Sequence, residues 1–266
     1  MKYAWVTTNL LDLWAKPRFE SGRASQLFFG EALKVKKEQK EFCRVRQADG
    51  YAGWVDARFL MPMSQAAYKE YLANINTIVT ASTARVYDRR GKQTVLPHLL
   101  YYGTRLRIKA GPAGFARVVL PDNGAVLVKT NNIRPINRKI TSSLTGSRLV
   151  AEAKRFLGVP YLWGGITVTG FDCSGLVRTV FSRFGIYMPR DTKDQISMGE
   201  RVDRDCIKIG DLLFFRRHVG LAIGRTHLVH ASRGGGGVRI NALVPGLPDY
   251  REDLDRDFVQ ARRMIT

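Results

Sequence analysis

Cysteine and long apolar stretches are scarce in this 266-residue chain. Its three cysteines, Cys43, Cys173 and Cys206, are an odd number, so at least one thiol is free in a monomer. This excludes the disulfide framework of a small secreted domain. No apolar run approaches the roughly 20 residues of a membrane helix, and the N-terminus lacks the features of a signal peptide. We therefore expect no membrane span. The protein is cytoplasmic, or belongs to the cell envelope or the secreted proteins if an export signal has been removed.

Acidic residues are also few: the chain has 23 Asp and Glu but 43 Lys and Arg, which gives a net charge of +20. A surplus of this size favours polyanionic surroundings. There is no zinc-finger spacing and no basic helix with heptads, so no nucleic-acid partner is expected. The charge then serves solubility and a loose attraction to anionic wall polymers. Because the His, Cys, Asp and Glu residues show no metal-ligand spacing, no metal or other cofactor is expected.

The first half of the chain repeats itself with an offset of 73 positions. The offset carries Leu13-Trp14 onto Val86-Tyr87, Phe29-Gly30 onto Tyr102-Gly103, and Phe42 onto Phe115. Each copy consists of short alternating segments separated by turn signals, a pattern typical of a small β-barrel. The sequence therefore predicts barrels over residues 1–63 and 77–137, with a short helical connector at 64–76.

A polar linker is predicted at 138–146, and from residue 147 the pattern changes to a helix followed by strands, which marks a third domain at 147–266. Within it, Cys173 precedes apolar residues at helical spacing and so lies at the first turn of an amphipathic helix. The positive end of the helix dipole favours a thiolate, and the free N–H groups there can receive an oxyanion. Cys173 is therefore a candidate nucleophile.

Histidine is rare, with four in the chain. His218 begins a predicted strand that directly follows the strand at 210–215, and His230 lies in the next strand. A base for Cys173 and a group that orients this base would complete a catalytic triad. His218 is the candidate base and His230 the candidate orienting residue. His227 is the alternative for the third position, on the opposite face of the same strand.

Five motifs carry a resemblance to a known family. They are Pro160-Tyr161-Leu162-Trp163-Gly164-Gly165, Phe171-Asp172-Cys173-Ser174-Gly175, Gly210-Asp211-Leu212-Leu213-Phe214-Phe215, His218-Val219-Gly220 and Val229-His230-Ala231. In order and spacing they resemble the NlpC family of cell-wall peptidases over about residues 147–245. Gly53-Trp54-Val55 resembles the closing strand of bacterial SH3-like domains, whereas the second copy has Val126-Leu127-Val128 there. The resemblance implies two small all-β SH3-like barrels followed by an α+β papain-like cysteine peptidase domain.

The resemblance also implies roles for single residues. It makes Cys173 the nucleophile, His218 the base and His230 the orienting residue. It implies that a further group holds the substrate: Tyr161, Asp172, Ser174, Arg190, Asp191 and Thr192. In the first barrel, Tyr51 and Glu20 are expected, by placement alone, to contact the free amine of the substrate.

Some of these residues have simpler interpretations. Asp172 could merely brace the start of the helix. Thr192 and Gln195 have the spacing of a capping box, and Asp191 could also cap that helix.

The implied activity is hydrolysis of the γ-D-glutamyl–diamino acid bond in peptidoglycan stem peptides, without a cofactor and by a monomer. If the first barrel closes one end of the cleft, only peptides with a free N-terminal L-Ala would fit. An amidase or acyltransferase on the same scaffold is one alternative, and a wall-binding protein without activity is another. The diamino acid, meso-diaminopimelate or lysine, stays open.

Overall fold

The structure is a computed structural model that describes residues 1–95, 97–136 and 144–265. The chain divides into two compact units, 1–136 and 137–266. Within the described ranges, no helix is long and apolar enough to cross a bilayer. The predicted linker 138–146 lies mostly outside the described residues, and a helix already begins at its last residue, Gly146.

The first repeat is one antiparallel sheet of seven strands. They are β1 (Tyr3–Val6), β2 (Leu10–Trp14), β3 (Arg23–Phe28), β4 (Ala32–Gln39), β5 (Phe42–Arg46), β6 (Ala52–Asp56) and β7 (Leu60–Met63). Their order is β3-β2-β6-β5-β4-β1-β7. β4 pairs with β1 through its first residues and with β5 through most of its length, and a bulge between Val35 and Lys37 helps it turn from one partner to the other. The ladder is open at β3 and β7, so the predicted small barrel is an open sheet that does not close on itself.

The second repeat follows the same plan with one break. Its strands are β8 (Thr77–Val79), β9 (Thr83–Tyr87), β10 (Leu99–Tyr101), β11 (Arg105–Leu106), β12 (Ile108–Ala110), β13 (Phe115–Val119), β14 (Ala125–Lys129) and β15 (Ile133–Pro135). They form the sheets β10-β9-β14-β13-β12 and β11-β8-β15. The counterpart of β4 is split here into β11 and β12, which divides the ladder in two. β2 and β9, β5 and β13, and β6 and β14 each start 73 positions apart, which confirms the predicted repeat at the level of strands.

The two repeats share a hydrophobic core. Trp5 and Phe29 of the first repeat are buried in one cluster with residues of the second, such as Val86 and Leu100. The connecting helix α1 (Gln65–Ala73) is capped by Ser64, whose hydroxyl accepts from the Ala67 N–H at 3.1 Å. Its tyrosines, Tyr68 and Tyr71, pack against Ala32 of β4. Because this burial is continuous, residues 1–136 form a single unit.

The second unit is a six-stranded antiparallel sheet covered by helices. Its helices are α2 (Gly146–Lys154), α3 (Cys173–Ser182), α4 (Thr192–Gln195) and α5 (Glu252–Arg256). Its strands are β16 (Ile166–Thr167), β17 (Gly170–Phe171), β18 (Glu200–Val202), β19 (Leu212–Phe215), β20 (His218–Ala222), β21 (His227–Ser232), β22 (Gly237–Ala242) and β23 (Phe258–Arg263). β16 and β17 form a hairpin, and the large sheet has the order β18-β23-β19-β20-β21-β22. α2 and α3 pack on β20 and β21. This brings the residue that starts α3 against the strand that starts with His218.

Candidate active site

The start of α3 is built to hold Cys173 in a fixed place. Asp172 is the N-cap residue, and its Oδ1 accepts a hydrogen bond from the Gly175 N–H at 2.7 Å. A Cβ atom on Gly175 would lie 2.1 Å from the carbonyl oxygen of Gly165. Only glycine therefore lets the first turn of α3 approach the preceding loop so closely. The glycine of the Asp172-Cys173-Ser174-Gly175 motif is a packing requirement.

The sulfur of Cys173 lies in a mostly buried, polar setting. Its Sγ is 3.8 Å from the Oγ1 of Thr192. The backbone N–H groups of Val219 and Ser174 lie close enough to the sulfur to lower its pKa. Since Val219 directly follows His218, the first residues of β20 lie beside the nucleophile. The side chain position agrees with the predicted role, which stays a prediction until it is measured.

Burial raises the pKa of the Cys173 thiol, and the carboxylate of Asp172 raises it further. The Thr192 hydroxyl and the N–H groups of Val219 and Ser174 act in the opposite direction with smaller effect. The sequence led us to expect a thiolate stabilised by the helix N-terminus. In the folded protein the residue is only 8% exposed, and desolvation of the charge opposes the stabilisation that the helix N-terminus offers a thiolate. The resting site therefore holds a thiol, which needs a base when it attacks.

A hydrogen-bonded chain of three side chains supplies that base in a defined tautomer. The Nε2 of His218 is 2.6 Å from the Nδ1 of His230, and the Nε2 of His230 is 2.9 Å from the Oδ1 of Asn241. The Asn241 Nδ2 donates to the carbonyl oxygen of Asp249 at 2.8 Å. Because that carbonyl can only accept, the Oδ1 of Asn241 must face His230. His230 then carries its proton on Nε2 and accepts on Nδ1 from the Nε2–H of His218.

This arrangement leaves the Nδ1 of His218 without a proton, so this nitrogen can accept one. His227, the alternative to His230, instead lies 2.9 Å from the Oγ1 of Thr226. Asn241 was not predicted from the sequence. The available signal was weak: a buried amide in the strand Gly237–Ala242, where a polar group needs a partner.

Gly220 makes room for the two histidines. A Cβ atom at this position would lie 3.0 Å from the Cβ of His230 and 2.7 Å from a methyl group of Leu228. A larger residue in β20 would therefore displace His230 from His218. This close approach gives a physical reason for the glycine in His218-Val219-Gly220.

Both imidazoles are neutral at neutral pH. Burial lowers the pKa of His218 from 6.5 to about 3, with a further contribution from His230. Burial also lowers the pKa of His230 to about 4, although the hydrogen bond that its Nε2–H donates to the Oδ1 of Asn241 acts in the opposite direction. A low pKa keeps His218 in its basic form in the free enzyme. Once protonated, the same ring is a strong acid toward a departing amine.

The lowered histidine pKa values predict that the second unit loses stability in mild acid. Above pH 6.5 both rings are neutral in the folded and unfolded chain. As the pH falls from about 6.5 toward 4, His218 and His230 become protonated in the unfolded chain but stay neutral in the folded one. The free energy of unfolding should then decrease by up to about 1.4 kcal/mol per pH unit for each histidine. Hydrogen exchange of α3 and β20 amides between pH 7 and about 5.5 measures this, above the range where most carboxylates titrate.

The matched variants for this measurement are His218→Gln and His227→Gln. In His218→Gln the free energy of unfolding should depend less on pH, because one histidine that is protonated only in the unfolded chain is gone. His227→Gln should follow the wild-type curve. A flat wild-type curve over this range would contradict the neutral, buried state of the two rings.

Asn241 is expected to act as a positioning residue. In Asn241→Leu, the Nε2–H of His230 loses its acceptor, and we expect kcat to fall about tenfold to a hundredfold because a buried donor is left unpaired. Asn241→Asp keeps an acceptor and should retain more activity than Asn241→Leu. The ¹⁵N NMR shifts of the His218 ring report its tautomer directly. Unchanged ring shifts in Asn241→Leu would show that Asn241 does not set the tautomer.

A buried ion pair braces the start of α3. Arg190 donates to the Oδ1 of Asp172 at 3.1 Å and to its Oδ2 at 2.5 Å, and also to the Oγ of Ser174 at 2.9 Å. The Oδ2 of Asp172 accepts in addition from the N–H of Gly164 at 2.9 Å. The interpretation of Asp172 as a brace is therefore confirmed. Direct contact of Asp172, Ser174 or Arg190 with substrate stays a prediction.

Thr192 and Tyr161 lie near the sulfur. Thr192 is the first residue of α4, and Asp191 takes the N-cap position. The capping-box interpretation of Thr192 is wrong, because the Gln195 Nε2 donates to the carbonyl oxygens of Ser174 and Pro189 instead. Burial raises the pKa of Tyr161 to about 12, and the neighbouring Cys173 adds to the rise. Tyr161 is thus a protonated donor close to the nucleophile.

The other two predicted substrate contacts belong to the first unit. Glu20 is exposed in the short 3₁₀ helix Phe19–Ser21, and Tyr51 is half-buried against the core of the first repeat. Their contact with substrate stays a prediction. In the part of the chain that the structure describes, no group of three His, Cys, Asp or Glu residues could hold a metal ion.

Comparison with known proteins agrees with this geometry. Residues 158–251 match the NlpC/P60 family, and residues 13–60 match the bacterial dipeptidyl-peptidase SH3 domain. Dipeptidyl-peptidase 6 of Lysinibacillus sphaericus is 40% identical over 94% of this chain and 95% of its own length. Gamma-D-glutamyl-L-lysine dipeptidyl-peptidase of Bacillus subtilis (strain 168) is 29% identical over 86% of this chain and 78% of its own.

The fold is also that of a solved structure. The crystal structure of an NlpC/P60 family protein from Bacillus cereus ATCC 10987 superposes with a TM-score of 0.84 at 23% identity, over 99% of this chain and 100% of the other. At this identity the likeness shows the fold alone, and it covers both units. The chain therefore belongs to the NlpC/P60 family, carries an SH3 domain ahead of its papain-like domain, and is a hydrolase of the cysteine type.

Proposed function

We propose that this protein cleaves the γ-D-glutamyl–diamino acid bond of peptidoglycan stem peptides, and that it acts on peptides with a free N-terminal L-Ala. The observation that carries the proposal is Cys173 at the start of α3, next to the backbone of Val219 in β20, together with the hydrogen-bonded chain that runs from His218 through His230 to Asn241. Relatives named gamma-D-glutamyl-L-lysine dipeptidyl-peptidase and murein DD-endopeptidase support the proposal.

The reaction proceeds in two acyl-transfer steps. The Nδ1 of His218 takes the thiol proton of Cys173 as the sulfur attacks the γ-carbonyl carbon of D-Glu, and an S–C bond forms. The backbone N–H of Cys173 and the hydroxyl of Tyr161 stabilise the oxyanion. His218 then gives its proton to the nitrogen of the diamino acid as the C–N bond breaks. A water molecule, deprotonated by the same ring, hydrolyses the thioester and returns the thiol.

The requirement for a free amine rests on the domain composition and on the relatives. A dipeptidyl-peptidase removes two residues from a free N-terminus, and three relatives that match this chain over most of their own length are named dipeptidyl-peptidase. Residues 13–60 match the SH3 domain of such enzymes. Glu20 is exposed on that domain, and a carboxylate suits recognition of an ammonium group.

We also propose that residues 77–136 are a second, diverged SH3-like domain. Its strands follow those of residues 1–63 in the same order with an offset of 73 positions. The split of the long strand into Arg105–Leu106 and Ile108–Ala110 accounts for the break in its ladder.

The function is tested by product analysis with three substrates. Free L-Ala-γ-D-Glu-diamino acid peptides, the same peptides acetylated at the amine, and intact glycan-linked peptidoglycan are digested in parallel, and new termini are identified by mass spectrometry. We expect the dipeptide L-Ala-γ-D-Glu from the free peptides, and little product from the other two substrates. Equal rates on all three would refute the amine requirement. Release of whole stem peptides from the glycan would identify an amidase instead, and the absence of any product would favour a binding protein.

A further inference from the structure

A pocket opens on the histidine side of the candidate site, within the second unit. Its volume is about 460 Å³. It is lined by residues of the β19–β20 turn, β21 and its following turn, and the α5 region: Phe215, Arg216, Arg217, His218, His230, Ser232, Arg233, Gly234, Arg251, Asp253, Leu254 and Asp257. Both histidines of the hydrogen-bonded chain therefore face this space.

The charged side chains of the pocket are mostly arginines. Its two carboxylates already have partners, because Asp253 pairs with Arg251 at 2.6 Å and Asp257 with Arg256 at 3.1 Å. The remaining guanidinium groups are those of Arg216, Arg217 and Arg233. Within residues 1–95, 97–136 and 144–265, none of these three has a carboxylate oxygen within 4.0 Å. The pocket is thus positively charged, and these three guanidinium groups are available to bind an anion.

The proposed reaction indicates which part of the substrate lies in this pocket. The departing amine takes its proton from His218, so the residue that carries this amine must lie on the side of the histidine. Arg233 also lies close enough to Tyr161 to act electrostatically on its hydroxyl, which places this arginine at the border of the reacting centre. The leaving residue therefore projects its own functional groups toward the arginines.

We infer that Arg216, Arg217 and Arg233 bind the carboxylates of the leaving diamino acid, and that the protein prefers meso-diaminopimelate to lysine in this position. The inference rests on the proposed function. Both residues present the carboxylate of their backbone and carry a side-chain ammonium, but in diaminopimelate the carbon that bears this ammonium also bears a carboxylate, which lysine lacks. Arginine binds carboxylates with paired, charge-assisted hydrogen bonds. The side-chain ammonium of lysine would instead be repelled by three guanidinium groups.

The test compares two peptides with the full-length protein. They are L-Ala-γ-D-Glu-meso-diaminopimelate and L-Ala-γ-D-Glu-L-Lys, and the measured quantity is the ratio of their kcat/KM values. We expect a preference for the diaminopimelate peptide of about tenfold to a hundredfold, the range of a charged hydrogen bond. Amidation of the side-chain carboxylate should remove most of the preference. The preference should also shrink at high ionic strength, since these arginines are exposed and their charge is screened.

Three variants locate the effect. Arg233→Gln and Arg217→Gln should bring the ratio toward one, because each removes a donor from the pocket. Arg225→Gln is the matched control, since Arg225 is an exposed arginine of the same unit that does not line the pocket. It should keep the wild-type ratio.

The outcomes separate this inference from the proposed function. Equal or faster cleavage of the lysine peptide by the wild type would overturn the inference and leave the peptidase activity established. An unchanged ratio in Arg217→Gln and Arg233→Gln would also overturn it. If neither peptide is cleaved at the γ-D-glutamyl bond, the proposed function fails and the inference with it.

Discussion

Replacement of Cys173 by alanine is expected to lower kcat/KM on the free tripeptide by about 10⁴-fold or more, the scale reached when a nucleophile is removed from a catalytic triad. The reason is chemical, because no other described side chain at the start of α3 can form the thioester. The change removes one sulfur atom at a position that is only 8% exposed, so the packing of α3 should survive. Chromatographic assay of the released dipeptide measures the loss.

The matched control is Cys206→Ala, which removes an exposed thiol from the same unit. It should leave kcat/KM unchanged. Mass spectrometry of the intact protein during turnover adds a direct reading, since an acyl group should appear on the wild type and be absent from Cys173→Ala. Full activity of Cys173→Ala would contradict the mechanism, whatever the Cys206 variant does.

Replacement of Arg190 by methionine is expected to destabilise the second unit by about 3 to 5 kcal/mol, because it leaves the buried carboxylate of Asp172 without its partner. The side chains of Arg190 and Asp172 are 1% and 10% exposed. Asp172 also caps α3 and holds the N–H of Gly164, so the position of the nucleophile should be disturbed as well. Urea unfolding, followed by hydrogen exchange in α3, measures the change.

Two further variants make this prediction specific. Arg204→Met breaks an ion pair with Asp255 whose arginine is 49% exposed, and such a loss should cost at most about 1 kcal/mol. The double variant Asp172→Asn/Arg190→Met removes both charges and should be more stable than Arg190→Met alone. If Arg190→Met unfolds like the wild type, the ion pair is not the brace that its geometry indicates.

The same variants separate bracing from substrate recognition. The sequence resemblance assigns Asp172 and Arg190 to the substrate pocket, while the structure shows both engaged with each other and with Ser174. In Asp172→Asn the cap to Gly175 can persist, since an amide oxygen also accepts. A higher KM at unchanged stability would then indicate direct substrate contact by Asp172. A loss of stability with unchanged KM would indicate bracing alone.

Local features of the site were accessible from the sequence because they depend on neighbours along the chain. The helix that starts at Cys173 follows from apolar spacing and from Asp172 as a capping residue. The strands of His218 and His230 follow from apolar runs bounded by turns. The repeat in the first unit was visible in the same way, since a fixed offset of 73 positions preserves the order of short strands.

Other features depend on distant parts of the chain and could not be predicted. Asn241 joins the histidines only because β22 pairs with β21 in a particular register. The ladders of the predicted barrels are open because strand pairing at the edges is set by bulges and breaks in β4 and its counterpart. The arginine pocket draws Arg217, Arg233 and Arg251 from three separate segments.

The amino-acid order was thus enough to predict a candidate nucleophile, a candidate base and the order of the elements that carry them, because helix starts and strand alternation are properties of short segments. The protonation of the site was settled by the folded chain alone. Burial of Cys173 and His218 makes their charged forms costly, and the hydrogen bonds through His230 and Asn241 select one tautomer. Desolvation and hydrogen-bond direction arise where separate segments pack together, and sequence spacing carries little information about either.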